Sequence, residues 1–100
     1  MLRHVVMFRF VDDVDPAAIE AMSAALDELP TAIDAIRRYQ HGSDLGLNDA
    51  NFDYVVVADF DDEAGFVTYR DHDVHQAFIR EHIVDKVATR VAVQYQVPAS

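Results

Sequence analysis

Leu2-Arg3-His4-Val5-Val6-Met7-Phe8-Arg9-Phe10-Val11 opens the chain with β-branched and aromatic residues and no breaker, the signature of a strand. With a period of two, one face carries His4, Val6, Phe8 and Phe10 and the other Arg3, Val5, Met7, Arg9 and Val11. Both faces are substantially apolar, so the sheet this strand enters has to be covered on both sides. Asp12-Asp13-Val14 reads as a turn. Asp15-Pro16 then supplies an N-cap followed by proline at the first helical position. The helix that follows repeats Ile19, Met22, Leu26 and Leu29 at three- and four-residue spacing, and Pro30 is expected to stop it at Leu29.

Ala35 to Ser43 reads as a second strand, placed at an edge by its Arg37-Arg38 pair, and Asp44 to Asn51 as a turn-rich loop around Gly46. Phe52 to Phe60 is the third strand, again apolar on both faces through Tyr54, Val56, Ala58 and Phe60 against Val55 and Val57. Asp61-Asp62-Glu63 suits the positive end of a helix that ends near Asp71. Asp73 is expected to cap a further helix running through Val74, Phe78, Ile79, Ile83, Val84 and Val87. Thr89 to Val97 closes the chain as a fourth strand, with Val91, Val93, Tyr95 and Val97 opposing Arg90, Ala92, Gln94 and Gln96.

The order strand-helix-strand-strand-helix-strand defines an α+β fold, a ferredoxin-like four-stranded antiparallel sheet. Right-handed crossovers place the helices on one face. The other face, with Val5, Met7, Val11, Val55 and Val57, still needs cover, and burying it is worth on the order of 10 kcal/mol at ~25 cal/mol per Å². A homodimer packed sheet against sheet provides that cover.

The 100 residues are expected to form one domain, residues 1–100. With no cysteine, disulfides and thiolate metal sites are excluded, leaving histidine and carboxylate as ligand types. No apolar run approaches membrane-spanning length and the N-terminus has no cleavage signature, so a cytoplasmic protein without membrane association is expected. A formal charge of −10, with Lys86 the single lysine, opposes binding to nucleic acid. There is no phosphate-binding glycine loop, nucleophile elbow or cysteine nucleophile.

The opening Leu2 to Phe10, Ser43-Asp44-Leu45-Gly46, Tyr54 to Phe60 and the run Tyr69-Arg-Asp-His-Asp-Val-His75 together resemble the stress-responsive dimeric α/β-barrel (Dabb) family over nearly the whole chain. The resemblance implies a ferredoxin-like protomer and a homodimeric α/β-barrel. The family includes stress-induced proteins and polyketide cyclases that need no organic cofactor, so none is expected here. Its His-Pro-x-His motif stands as His72-Asp73-Val74-His75, with the proline replaced. By resemblance to cyclase members, His75 is an acid/base assisted by Tyr69, and the first-strand histidine corresponds to His4.

The faces of the first strand and the last helix are expected to meet over an apolar pocket lined by Val6, Phe8, Leu26, Tyr54, Val56, Phe78, Ile79, Val91 and Val93, with Tyr95 as a further polar tip. In such a site a neutral histidine removes a proton alpha to a carbonyl while a tyrosine hydroxyl stabilises the oxyanion. His72 and His75 do not form a metal set by themselves, and no metal is expected. His41 and His82 have neither motif nor partner and are read as solvated. Three functions remain open: binding of a small apolar or aromatic molecule, a cofactor-independent cyclase, isomerase or monooxygenase using His75, and an interaction module whose pocket is filled by side chains.

Overall fold

The computed structural model describes residues 1–98. In chain order the elements are β1 (Leu2–Phe10), α1 (Pro16–Ala32), β2 (Arg38–Ser43), β3 (Tyr54–Phe60), α2 (Glu63–Asp71), α3 (Asp73–His82) and β4 (Val87–Gln96). The four strands form one antiparallel sheet in the order β2-β3-β1-β4. β1 lies inside the sheet, as its breaker-free sequence requires, and the arginine-bearing β2 lies at an edge.

Residues paired across antiparallel strands share a face. Val6 pairs with Val56 and Ala92, and Phe8 pairs with Tyr54 and Arg90, on the face beneath the helices. Buried there in one core are Val6, Phe8, Phe10, Val56, Ala58 and Phe60, with Met22, Leu26 and Leu29 of α1 and Phe78 of α3. Val5 pairs with Val57 and Val93, and Met7 with Val55 and Val91, on the opposite face. No helix covers that side: Met7 and Val91 are each 39% exposed, Tyr95 47% and Val93 55%.

Helix α1 begins as the sequence indicates, with the Asp15 carboxylate accepting from the Ala17 amide at 2.9 Å. It does not stop at Leu29. Pro30 lies inside the helix, which continues to Ala32 and is closed by the Ile33 N–H donating to the Leu29 carbonyl. Proline forfeits one backbone hydrogen bond, but the extra turn buries both Leu29 and Ile33, and that burial offsets the loss. Residues 35 and 36, read as strand, form a turn in which the Ile36 N–H reaches the Ile33 carbonyl, so β2 starts only at Arg38. Strand β3 likewise starts at Tyr54, because the Asp53 carboxylate accepts from the Phe10 amide across the sheet end.

The break between α2 and α3 fixes the site. Asp62 caps α2 through the Gly65 amide, and Glu63 occupies its first turn. His72, in extended conformation (φ −62, ψ 138), then interrupts the helix. Its Nδ1 accepts from the Val74 amide at 3.1 Å, so His72, rather than Asp73, is the N-cap of α3. Asp73 stands at the first helical position, where its charge suits the dipole, so α3 starts here without a proline. Helix α3 ends at His82, and β4 starts at Val87, two residues earlier than its alternation suggests.

Candidate functional site

Between β1, β2, β4 and the helices lies a cavity of about 150 Å³. It is lined by His4, Val6, Phe8, Leu26, Tyr39, Val56, Phe66, Tyr69, Arg70, His75, Phe78, Ile79, Ile83 and Arg90. Of the residues singled out from sequence, His4, Tyr69 and His75 thus share one enclosure with Val6, Phe8, Leu26, Val56, Phe78 and Ile79.

His4 projects from the middle of β1 and is 3% exposed. The Gln94 side-chain amide donates to its Nδ1 at 2.8 Å, so the neutral ring carries its proton on Nε2. The ring packs 5.0 Å from Phe66 and 6.3 Å from Tyr69, centroid to centroid. Burial, reinforced by the positive fields of Arg90 and His75, pulls its pKa down to about 4.

His75 has the opposite tautomer. Its Nδ1 lies 3.0 Å from the Arg70 carbonyl, which can only accept, so Nδ1 holds the proton and Nε2 keeps a lone pair. The Gln76 amide donates to the same carbonyl at 2.7 Å. Burial also lowers the His75 pKa, opposed by the carbonyl bond and helped by Arg90 and His72. The His75 and Tyr69 rings lie 4.1 Å apart at 32°.

The Tyr69 hydroxyl is 2.9 Å from that of Tyr39 on β2. One phenol donates to the other, and the accepting phenol retains its own proton for a further partner. Burial raises both phenol pKa values, with the neighbouring Tyr69 adding to the effect on Tyr39. Two neutral phenols and two neutral imidazoles therefore share an otherwise apolar chamber, with Arg70 and Arg90 bordering it.

Four residues expected in the lining lie elsewhere. Val91, Val93 and Tyr95 occupy the helix-free face, because β4 pairs Val91 with Met7, Val93 with Val5 and Tyr95 with Arg3. A one-residue choice of register exchanges the faces of a strand, and the alternation of β4 alone does not reveal which one meets β1. Tyr54 is buried beneath α1, but its hydroxyl engages Ser23 at 3.1 Å and the His41 Nδ1 at 2.7 Å. His41, read as solvated, is held between Tyr54 and Asp27, whose carboxylate lies 2.6 Å from Nε2. His82 is also more enclosed than expected, its ring 5.5 Å from that of Phe78.

Tyr39, Phe66, Arg70, Ile83 and Arg90 were missed. Tyr39 and His41 share the inner face of β2 through their pairing with Ala58 and Val56. A period-two reading of β2 in register with β3 is the signal that brings Tyr39 to the cavity. Arg90 follows from the corrected register of β4, where it stands opposite Phe8.

The sequence profile of the Stress responsive A/B Barrel Domain family matches residues 2–97. The chain belongs to the Dabb family. A dimeric ferredoxin-like protein of unknown function from Thermobifida fusca YX is similar to this Dabb chain at 44% identity, with a TM-score of 0.89 over 96% of this chain and 90% of that one. A dimeric protein of unknown function with a ferredoxin-like fold from Bacteroides fragilis NCTC 9343 is 23% identical, with a TM-score of 0.84 over 96% and 95% of the two chains. The hydroxynitrile lyase from Passiflora edulis is 19% identical, with a TM-score of 0.85 over 99% and 94%, a likeness of fold. No curated protein sequence matches the chain. Among the described residues, no helix is long and apolar enough to cross a membrane.

Proposed function

We propose that this Dabb chain is a homodimer binding a compact apolar or aromatic small molecule in the cavity of each protomer, and that the cavity performs proton transfer on it. The observation carrying this reading is the pair of neutral histidines with opposite tautomers, His4 presenting an Nε2 proton and His75 an Nε2 lone pair, around one apolar chamber. In that arrangement His75 takes a proton alpha to a carbonyl. The Tyr69–Tyr39 pair or the His4 Nε2–H donates to the oxyanion that develops.

The volume narrows the ligand. An apolar cavity of about 150 Å³ accommodates a molecule the size of benzene, which favours a single ring or an aliphatic body of equal bulk over a multi-ring substrate. The dimer is supported by the uncovered apolar face around Met7, Val91 and Val93 and by the description of the Thermobifida fusca and Bacteroides fragilis proteins as dimeric.

The test is deuterium exchange at the α-carbon of phenylacetaldehyde in D2O, followed by NMR, with affinity measured in parallel. His75→Gln is expected to slow protein-catalysed exchange by about 100-fold or more while leaving affinity within about threefold, since a positioned general base contributes roughly 10²–10⁴. Catalysed exchange that persists in His75→Gln refutes the assignment of the base. Failure of a panel of single-ring aldehydes, ketones and alcohols to bind refutes the cavity reading.

A further inference from the structure

The cavity lining is unlike the rest of the chain in charge. Of 100 residues 18 are acidic, yet no aspartate or glutamate lines the cavity, whereas two arginines do. The two arginines differ. Arg70 is held by Asp71 through paired hydrogen bonds of 2.9 and 3.1 Å. Among the described residues no carboxylate pairs with Arg90, while four of the other seven lysine and arginine side chains do pair with acids: Arg3 with Asp59, Arg37 with Asp61, Arg70 with Asp71 and Lys86 with Asp85.

Arg90 is exposed on edge strand β4, on the cavity side and opposite Phe8, so it stands at the rim rather than in the apolar interior. Its charge reaches the interior groups: it lowers the pKa of His4, of His75 and of Tyr69, though burial is the larger influence on each. An unpaired guanidinium beside an apolar chamber that holds only neutral donors is a recognition element for an anion. The planar fork of arginine matches a carboxylate in particular.

Building on the cavity-binding reading above, we propose that the ligand is a compact monocarboxylate whose ring or equivalent apolar body fills the chamber and whose carboxylate pairs with Arg90 at the rim. The remaining polar lining suits this arrangement. The buried donors are uncharged, so the unpaired positive charge of the lining is that of Arg90, while His75 and Tyr69 lie together deeper in the chamber.

Benzoate, benzamide and benzaldehyde share a ring and differ in charge, and their affinities for the intact protein are compared by titration NMR. Benzoate is expected to bind on the order of tenfold more tightly than benzamide, a preference of about 1.4 kcal/mol. Raising the salt concentration weakens that preference. Arg90→Gln abolishes it while leaving benzamide affinity within about twofold, Arg90→Lys retains part of it, and Arg70→Gln leaves it in place, because the Arg70 charge is already engaged by Asp71. Equal or tighter binding of benzamide, or a benzoate preference that survives Arg90→Gln, overturns the carboxylate assignment and leaves the cavity reading standing. Failure of all three compounds to bind overturns both.

Discussion

Replacing His4 by Gln removes a buried imidazole whose protonation folding opposes, and the pH dependence of stability reads out the consequence. In the unfolded chain this imidazole titrates near 6.5, and in the folded protein near 4, because burial and the charge of Arg90 oppose its protonation. The unfolded state therefore binds more protons between those values. The contribution of neutral His4 is fully present above pH 6.5 and is lost as pH falls through about 4. Protonation also removes the Nδ1 lone pair that accepts from Gln94.

Integrated from pH 7.5 to 4.5, the shift corresponds to ~2.5 kcal/mol. Solvent screening of the Arg90 charge, which is exposed at the rim, reduces it to about 2 kcal/mol. Urea denaturation at fixed protomer concentration, so that any dimer contributes equally, measures the loss. Wild type is expected to lose about 2 kcal/mol more than His4→Gln over this interval. His75 is lowered in the same direction and remains in both proteins, so it cancels in the comparison. Asp59, Asp61, Asp71 and Asp85 have pKa values held below 3.8 by Arg3, Arg37, Arg70 and Lys86, and their contribution begins to fail only as pH approaches that value. Equal losses in the two proteins, or an NMR midpoint for His4 at or above 6.5, refute the account of a buried neutral imidazole.

Tyr39→Phe leaves the buried Tyr69 hydroxyl without its phenol partner and is expected to cost about 1–2 kcal/mol in urea denaturation. A change within experimental error would mean that the pair contributes nothing net to folding. Val93→Asp places a charge on the helix-free face and is expected to shift sedimentation from dimer to monomer while far-ultraviolet circular dichroism is retained. A dimer of unchanged stability would show that the face is not the contact between protomers.

How far the sequence reaches differs from one strand to the next. Strand β1 was legible because both of its faces are apolar: it had to sit inside a sheet, and either assignment of its faces placed His4 with Val6 and Phe8. Strand β4 was legible as a strand but not as a face, since Val91, Val93 and Tyr95 make a plausible inner row and only pairing with β1 turns them outward. Helix α1 was legible at its start, where Asp15 and Pro16 act locally, and not at its end, where burial of Leu29 and Ile33 carries the helix past Pro30.

The candidate site divides along the same line. The residues Tyr69, His72 and His75 and the helix break among them are local in sequence, and the grouping of His4 with His75 and Tyr69 came from resemblance. The tautomers did not: they depend on the Arg70 carbonyl and on Gln94, which stands 90 residues from His4. Tyr39 entered through the register of β2 against β3, and Arg90 through that of β4 against β1. The sequence by itself determined the elements, their order and a sheet with two apolar faces, because those follow from short-range periodicity and capping. Tertiary structure decided which face each edge strand presents and which protons the cavity groups hold, because register and burial arise between segments distant along the chain.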